Sequence, residues 1–198
     1  MRSVIMEEPG KVVVEDRPMP TLLESTDAVI KLAASCICGS DLWPYRGAQP
    51  EPVDHQQMGH EYIGEVIEVG DDVKTVKPGD FVVGSFCISC GECATCRDGY
   101  PSRCLKAIAA GDGFIGMRSN GTQAEYARIP FADGTLVKTP AYPTAEQIPH
   151  LMAASDVLGT GWYAADAAKA GPGKTIAVVG DGAVGLGAVI GAKQLGAE

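Results

Sequence analysis

The sequence predicts a mixed α/β chain in which an irregular, strand-built barrel is followed by a helix–strand–helix segment. Gly and Pro supply 25 and 13 of the 198 residues, an excess that favours turns and short strands over a helix bundle. Short β-branched runs ended by Pro or small residues recur up to Pro130. Near residue 140 the texture changes, and Ala, Leu and Met dominate from Leu151 to Ala170.

KVVVEDRP (11–18) and DAVIKLAA (27–34) are β-branched runs and read as strands. EYIGEVIEVG (61–70) alternates acidic and apolar residues before a Gly-Asp turn, the pattern of a half-buried strand. DFVVG (80–84) follows the turn Lys77-Pro78-Gly79, and TQAEYARIP (122–130) is a further strand stopped by Pro. Thr144 with Gln147 fits a capping box and predicts a helix start. That helix is expected to run through 151–170 until Gly171-Pro172-Gly173 stops it. KTIAVVG (174–180) reads as a buried parallel strand, and 181–198 as a Gly-rich turn opening a helix that the chain leaves uncapped. Two domains are expected, 1–150 and 151–198, with a cysteine lobe at about 87–104 in the first.

Sixteen basic against twenty-five acidic residues give a net charge of −9, which argues against a nucleic-acid surface. No apolar run approaches the roughly 18 residues of a membrane span, and Met1 to Pro20 lacks an apolar secretory core. The expected location is cytoplasmic. Seven cysteines there point to metal or redox chemistry instead of disulfides.

Cys90-x2-Cys93-x2-Cys96-x7-Cys104 offers four thiolates to one ion. Tetrahedral zinc would be fully ligated, a structural site with no open position. Cys87, Cys90, Cys93 and Cys96 also repeat at ferredoxin-like spacing, but that pattern wants a Cys-Pro close by and Cys104 is followed by Leu105. A second set is Cys38-Gly39-Ser40-Asp41 with Gly59-His60-Glu61. A thiolate and an imidazole on separate loops suit a metal that keeps positions open for a ligand, although a buried thiol and a core histidine would also account for them. Ser40 is placed to pass a proton, and Asp41 to orient His60. The third set is Gly180-x-Gly182-x-x-Gly185, a turn that lets a pyrophosphate approach a helix N-terminus.

Together, CGSD (38–41), GHE (59–61), the CGECATCRDG run (90–99) and VVGDGAVGLGAV (178–189) resemble the zinc-dependent alcohol dehydrogenases of the medium-chain dehydrogenase/reductase superfamily. The resemblance implies a GroES-like β-barrel catalytic domain followed by the beginning of a Rossmann domain. It implies two zinc ions per chain. Cys38, His60 and Asp156 fall at the catalytic ligand positions, with Glu61 as an alternate ligand, and Cys90, Cys93, Cys96 and Cys104 hold the structural ion. Thr160, Gly180, Gly182, Val184 and Gly185 would contact NAD or NADP, and Phe86 would line the substrate pocket. The implied reaction interconverts an alcohol and an aldehyde or ketone, with Ser40 taking the alcohol's proton. A homo-oligomer, dimer or tetramer, is expected for the full-length parent. Trp43 stands where many members place a relay histidine. Two rivals stand beside this reading: a polyol, amino-alcohol or formaldehyde dehydrogenase, and a zinc-binding fragment without turnover. The second arises because a six-stranded dinucleotide fold needs strands beyond those counted here.

Overall fold

The structure, a computed structural model, describes residues 1–48, 55–116 and 121–198. The chain forms two compact units, Met1–Met152 and Ala153–Glu198.

The first unit is built on two antiparallel sheets. One has three strands in the order β2-β1-β4, from β1 (Arg2–Glu8), β2 (Lys11–Asp16) and β4 (Gln56–Gln57). The other has five, in the order β7-β3-β5-β6-β8. These are β3 (Ala28–Ser35), β5 (Tyr62–Val69), β6 (Phe81–Gly84), β7 (Tyr126–Ile129) and β8 (Leu136–Lys138). Four one-turn helices fill the connections: α1 (Leu42–Tyr45), α2 (Ala94–Arg97), α3 (Leu105–Ala109) and α4 (Ala132–Thr135).

β5 sits between β3 and β6 and is half-buried as expected: Tyr62, Ile63 and Val66 are fully buried, while Ile67 and Glu68 are exposed. Tyr62 pairs with Gly84 across the sheet. A Cβ at 84 would lie 1.9 Å from the Tyr62 ring, so only glycine admits the tyrosine there. Burial pushes the Tyr62 phenol well above its usual range, and its hydroxyl donates to Ser85 O at 3.3 Å. Before β3, the buried Asp27 accepts from Leu23 N, Glu24 N and Arg128 Nη1 through one carboxylate oxygen, locking the turn that aims the strand.

The helix expected over 151–170 is broken. Gln147 Oε1 accepts from Thr144 N at 3.0 Å, one half of a capping box, and α5 (Ile148–Met152) follows. Residues 153–156 are turns, and α6 (Val157–Ala167) starts afresh. The break falls at Ser155 and Asp156, residue types whose side chains compete for the backbone.

In the second unit α6 packs on α7 (Ala183–Gln194) through small residues. A Cβ at Gly161 would lie 2.4 Å from Ala188 N and from Val184 O, so the two backbones touch. The C-terminal helix is capped, contrary to expectation. Gly196 takes φ +94°, its N–H donates to Lys193 O, and Ala197 N donates to Ala192 O, a Schellman motif. Residues 174–180 form no ladder with any described residue, and Val179 is fully exposed, so the expected buried strand is absent. A parallel strand is buried only when strands and helices flank it, and this unit supplies the helices α6 and α7 but no partner strand. Among the described residues no helix is long and apolar enough to cross a membrane.

Candidate metal centres and nucleotide turn

Cys90, Cys93, Cys96 and Cys104 present sulfurs that all lie within 4.8 Å of one another. The two Cys-x2-Cys steps fold back at α2, bringing Cys93 Sγ to 3.4 Å from Cys96 Sγ and 4.0 Å from Cys104 Sγ. Backbone N–H groups point at the sulfurs: Cys93 N at Cys90 (3.3 Å), Cys90 N at Cys104 (3.3 Å) and Ala107 N at Cys104 (3.4 Å). The Thr95 hydroxyl, the first cause, and such backbone donors hold the Cys93 thiol down at about 5. Burial and the adjacent Cys93 push Cys96 up to about 12. Sulfurs this close cannot all ionise alone, and a divalent cation resolves the conflict. None of the seven cysteines forms a disulfide among the described residues. Cys87, buried, lies outside this cluster, so the set that ferredoxin spacing would require is not the one assembled.

The second cluster follows from sheet register. Ser35 pairs with Tyr62, so the end of β3 and the start of β5 lie side by side. Three residues beyond Ser35 is Cys38, and just before Tyr62 stand His60 and Glu61. Their ligand atoms lie within 4.8 Å of one another. Gly59 makes this approach possible: it has φ +98°, and a Cβ there would lie 2.4 Å from Gln123 N. His60 Nδ1 lies 3.4 Å from Asp41 Oδ1, and Ser40 Oγ lies 3.3 Å from His60 Nε2. A proton on Nδ1, directed at Asp41, leaves the Nε2 lone pair for a metal. Asp41 Oδ2 also accepts from Cys38 N at 2.9 Å. The buried Glu61 carries its main-chain oxygen on Ser35 Oγ (2.8 Å) and Thr122 Oγ1 (3.4 Å).

Two residues here carried no sequence signal. Gln123 Nε2 donates to Cys36 O (3.1 Å) and Asp41 Oδ2 (3.3 Å), a link across 82 positions with no spacing rule behind it. The Cys36 thiol, pushed up by burial and then by Glu61, adds a second sulfur beside that of Cys38. Phe86 stands edge-on to His60 at 6.3 Å. Trp43, at the relay position, is exposed.

In the second unit Asp156 occupies the N-cap position of α6 yet makes no side-chain cap bond. Its Oδ1 accepts from Thr160 Oγ1 at 2.6 Å, one helical turn on. The three glycines of the turn differ in their surroundings. Gly180 has φ +114°; a Cβ at Gly185 would lie 2.1 Å from Gly180 O; and a Cβ at Gly182 would meet nothing. The space over Gly182, at the N-cap of the 12-residue α7, suits a pyrophosphate against the helix N-terminus. Val184, in the first turn of α7, is partly exposed.

The alcohol dehydrogenase GroES-like domain family matches residues 24–141. The chain belongs to the alcohol dehydrogenase GroES-like domain family. It is 42% identical over 200 residues to a zinc-type alcohol dehydrogenase B of Aspergillus flavus, covering 98% of this chain and 45% of that protein. It is 38% identical to a glutathione-independent formaldehyde dehydrogenase of Pseudomonas aeruginosa, covering 99% and 52%. An alcohol dehydrogenase from Thermus sp. ATN1 superposes with a TM-score of 0.86 at 35% identity, over 100% of this chain and 56% of that one. The chain carries both candidate ligand sets, and it spans about half the length of these relatives.

Proposed function

We propose that the protein to which this chain belongs is a zinc-dependent oxidoreductase that interconverts a small alcohol and an aldehyde or ketone with NAD or NADP. The observation that carries this reading is the Cys38–His60–Glu61 cluster with the Ser40 hydroxyl 3.3 Å from His60 Nε2. Zinc, when bound there, supplies Lewis acidity that favours the alkoxide of a bound alcohol. Cys38 and His60 are the ligands, Asp156 is a further one, and Glu61 is an alternate. Cys90, Cys93, Cys96 and Cys104 form a closed, structural set. Ser40 takes up the alcohol's proton; Trp43 has no imidazole to carry it on, so the proton leaves to water or to a cofactor hydroxyl. Thr160 contacts the nicotinamide, and Gly180, Gly182, Val184 and Gly185 cradle the pyrophosphate. A cobalt- and zinc-bound alcohol dehydrogenase from Pyrobaculum aerophilum and an NADP-bound zinc-binding dehydrogenase from Sinorhizobium meliloti, both similar to this chain, support this choice of groups. A cytoplasmic homo-oligomer acting on small alcohols suits the reading.

Metal counting and turnover test it. Two zinc ions per chain are expected, falling to one in Cys38→Ala, with alcohol-dependent NAD(P) reduction lost in that variant. Iron in place of zinc would sink the proposal. The absence of a strand ladder at residues 174–180 favours a second reading, a zinc-binding segment without turnover of its own. That reading predicts two zinc ions and no reduction of either cofactor across a panel of alcohols.

A further inference from the structure

Just past the end of β3 stands a thiol that the metal cluster does not use. Cys36 lies outside the group of ligand atoms that Cys38, His60 and Glu61 bring together. It is two residues from Cys38, and its thiol donates a hydrogen bond to the Glu61 carboxylate. Burial alternates along this segment: Cys36 and Cys38 are both half-buried, whereas Ile37 between them is 78% exposed. Cys38 has extended backbone, with φ −89° and ψ 154°. Residues two apart in extended chain point to one side, so the two sulfurs share a face and Ile37 points away from it.

The segment is held without being part of the sheet. Gln123 Nε2 donates to Cys36 O at 3.1 Å and to Asp41 Oδ2 at 3.3 Å, and the same Oδ2 accepts from Cys38 N at 2.9 Å. Cys36 packs against the apolar cluster of Ile63, Phe81 and Met152. Residues 36–38 follow β3 and form no ladder among the described residues. Two extended residues span roughly 6.6 Å, inside the range of about 4.4–6.8 Å over which a disulfide joins two Cα atoms. Closing a bond between these sulfurs therefore disrupts no strand pairing.

We propose that Cys36 and Cys38 form an oxidisable dithiol, a modification site at which hydrogen peroxide converts the two thiols to a disulfide and reversibly withdraws a metal ligand. The inference rests on the reading of Cys38 as a ligand. The Cys38 sulfur attacks one peroxide oxygen, the O–O bond breaks, and Cys38 becomes a sulfenic acid while the other oxygen leaves as water with the thiol proton. The Cys36 sulfur then attacks the Cys38 sulfur. The S–S bond forms as the S–O bond breaks, and the hydroxyl leaves as water with the Cys36 proton. Two thiols are oxidised and one peroxide is reduced to two waters. A lone thiol at position 38 would instead go on to sulfinic acid, which thiol reductants do not restore. Cys36 makes the loss recoverable.

Trypsin cuts after Lys31 and Arg46, so residues 32–46 leave as one peptide that holds Cys36 and Cys38 and no other cysteine. The test treats the full chain, loaded with zinc, with hydrogen peroxide, then alkylates the remaining thiols, digests and weighs that peptide. It is expected to be ~2 Da lighter than its reduced form, the two thiol hydrogens. Zinc per chain is expected to fall from two to one, and dithiothreitol with added zinc to restore both. Cys36→Ser is expected to hold two zinc ions beforehand; after peroxide its peptide gains about 32 Da, two oxygens, and the lost zinc is not recovered. A parent peptide that gains oxygen, or that is alkylated at both cysteines after peroxide, overturns the dithiol. Equal recovery of zinc in the parent and in Cys36→Ser overturns the role of Cys36, and so does a Cys36→Ser chain that starts with one ion, since Cys36 would then be a ligand itself. A disulfide that forms with the zinc count unchanged instead overturns Cys38 as a ligand, the reading beneath, and leaves the dithiol standing.

Discussion

His60 turns Nδ1 toward Asp41, 3.4 Å from Oδ1, while the other oxygen of the same carboxylate accepts from Cys38 N at 2.9 Å. One buried side chain thus fixes both an imidazole and the backbone of a thiol that approach each other from different strands. Groups that orient metal ligands typically contribute 10–100-fold to affinity. Asp41→Ala is expected to weaken zinc at the Cys38–His60 cluster by about that factor and to leave the four-thiolate site filled. Competition with a chromophoric chelator measures both sites; equal affinity in the variant and the parent would remove Asp41 from this role.

Asp156 has two competing assignments, a metal ligand and a helix cap. Its side chain makes no cap bond and is held by the Thr160 hydroxyl. A true N-cap contributes about 1 kcal/mol, so Asp156→Ala is expected to cost clearly less than that in urea unfolding. The zinc count of the purified variant is expected to fall from two to one. Retention of both ions would mean that Asp156 is not a ligand.

Asp80 closes the turn before β6. Lys138 hydrogen-bonds its carboxylate at 2.7 Å, and Lys77 N does so at 3.0 Å. Lys138, more than any other group, holds the Asp80 carboxyl below its usual range, against the opposing effect of burial. The unfolded chain therefore takes up this proton first as pH falls. The resulting stability is present above the ordinary aspartate value of about 3.9 and is lost as pH drops through it toward the lower folded value. Asp80→Asn is expected to be less stable than the parent at pH 7, with the gap narrowing toward acid. Paired urea midpoints across that range check it; a gap that widens on acidification would contradict the assignment.

The four-thiolate set was legible because Cys-x2-Cys spacing alone folds sulfurs together. Four strands of the larger sheet were legible from the runs at 27–34, 61–70, 80–84 and 122–130, whereas the three-residue β8 was too short to leave a pattern. Cys38 and His60 were legible only through family likeness, since their meeting depends on Ser35 pairing with Tyr62, a register no local pattern encodes. Gln123 was invisible for the same reason. The break at 153–156 escaped because Ala-rich sequence favours continuing a helix. The Gly196 cap was missed, although glycine one position past a helix end is a strong stop signal.

Lys169 completes the Schellman motif that ends α6, with φ +56°; its N–H donates to Asp166 O and Ala170 N donates to Ala165 O. A side chain in the left-handed region costs roughly 1–2 kcal/mol that glycine does not incur. Lys169→Gly is expected to stabilise the second unit by up to ~1 kcal/mol, the gain partly offset by the greater freedom of glycine in the unfolded chain. Chemical denaturation followed by a probe in α6 measures it; a destabilised variant would show that the Lys169 side chain does more than tolerate its backbone.

Residues 174–180 carry the apolar sequence of an interior strand but form no ladder with any described residue; Lys174 O accepts from Glu198 N, and Val179 is fully exposed. Unpaired N–H and C=O groups along such a segment exchange with water and offer an edge to another chain. Amides of Ile176 to Val179 in the 198-residue chain are expected to exchange within seconds at low concentration, far faster than those of Ile63 and Val66 in β5. Raising the concentration separates two outcomes. Exchange that stays fast means the segment finds no partner among copies of this chain. Exchange that slows together with a rise in molecular mass means that a second copy supplies the strand. Slow exchange in a verified monomer would mean that the segment is protected inside this chain, and would overturn its description as lacking a ladder.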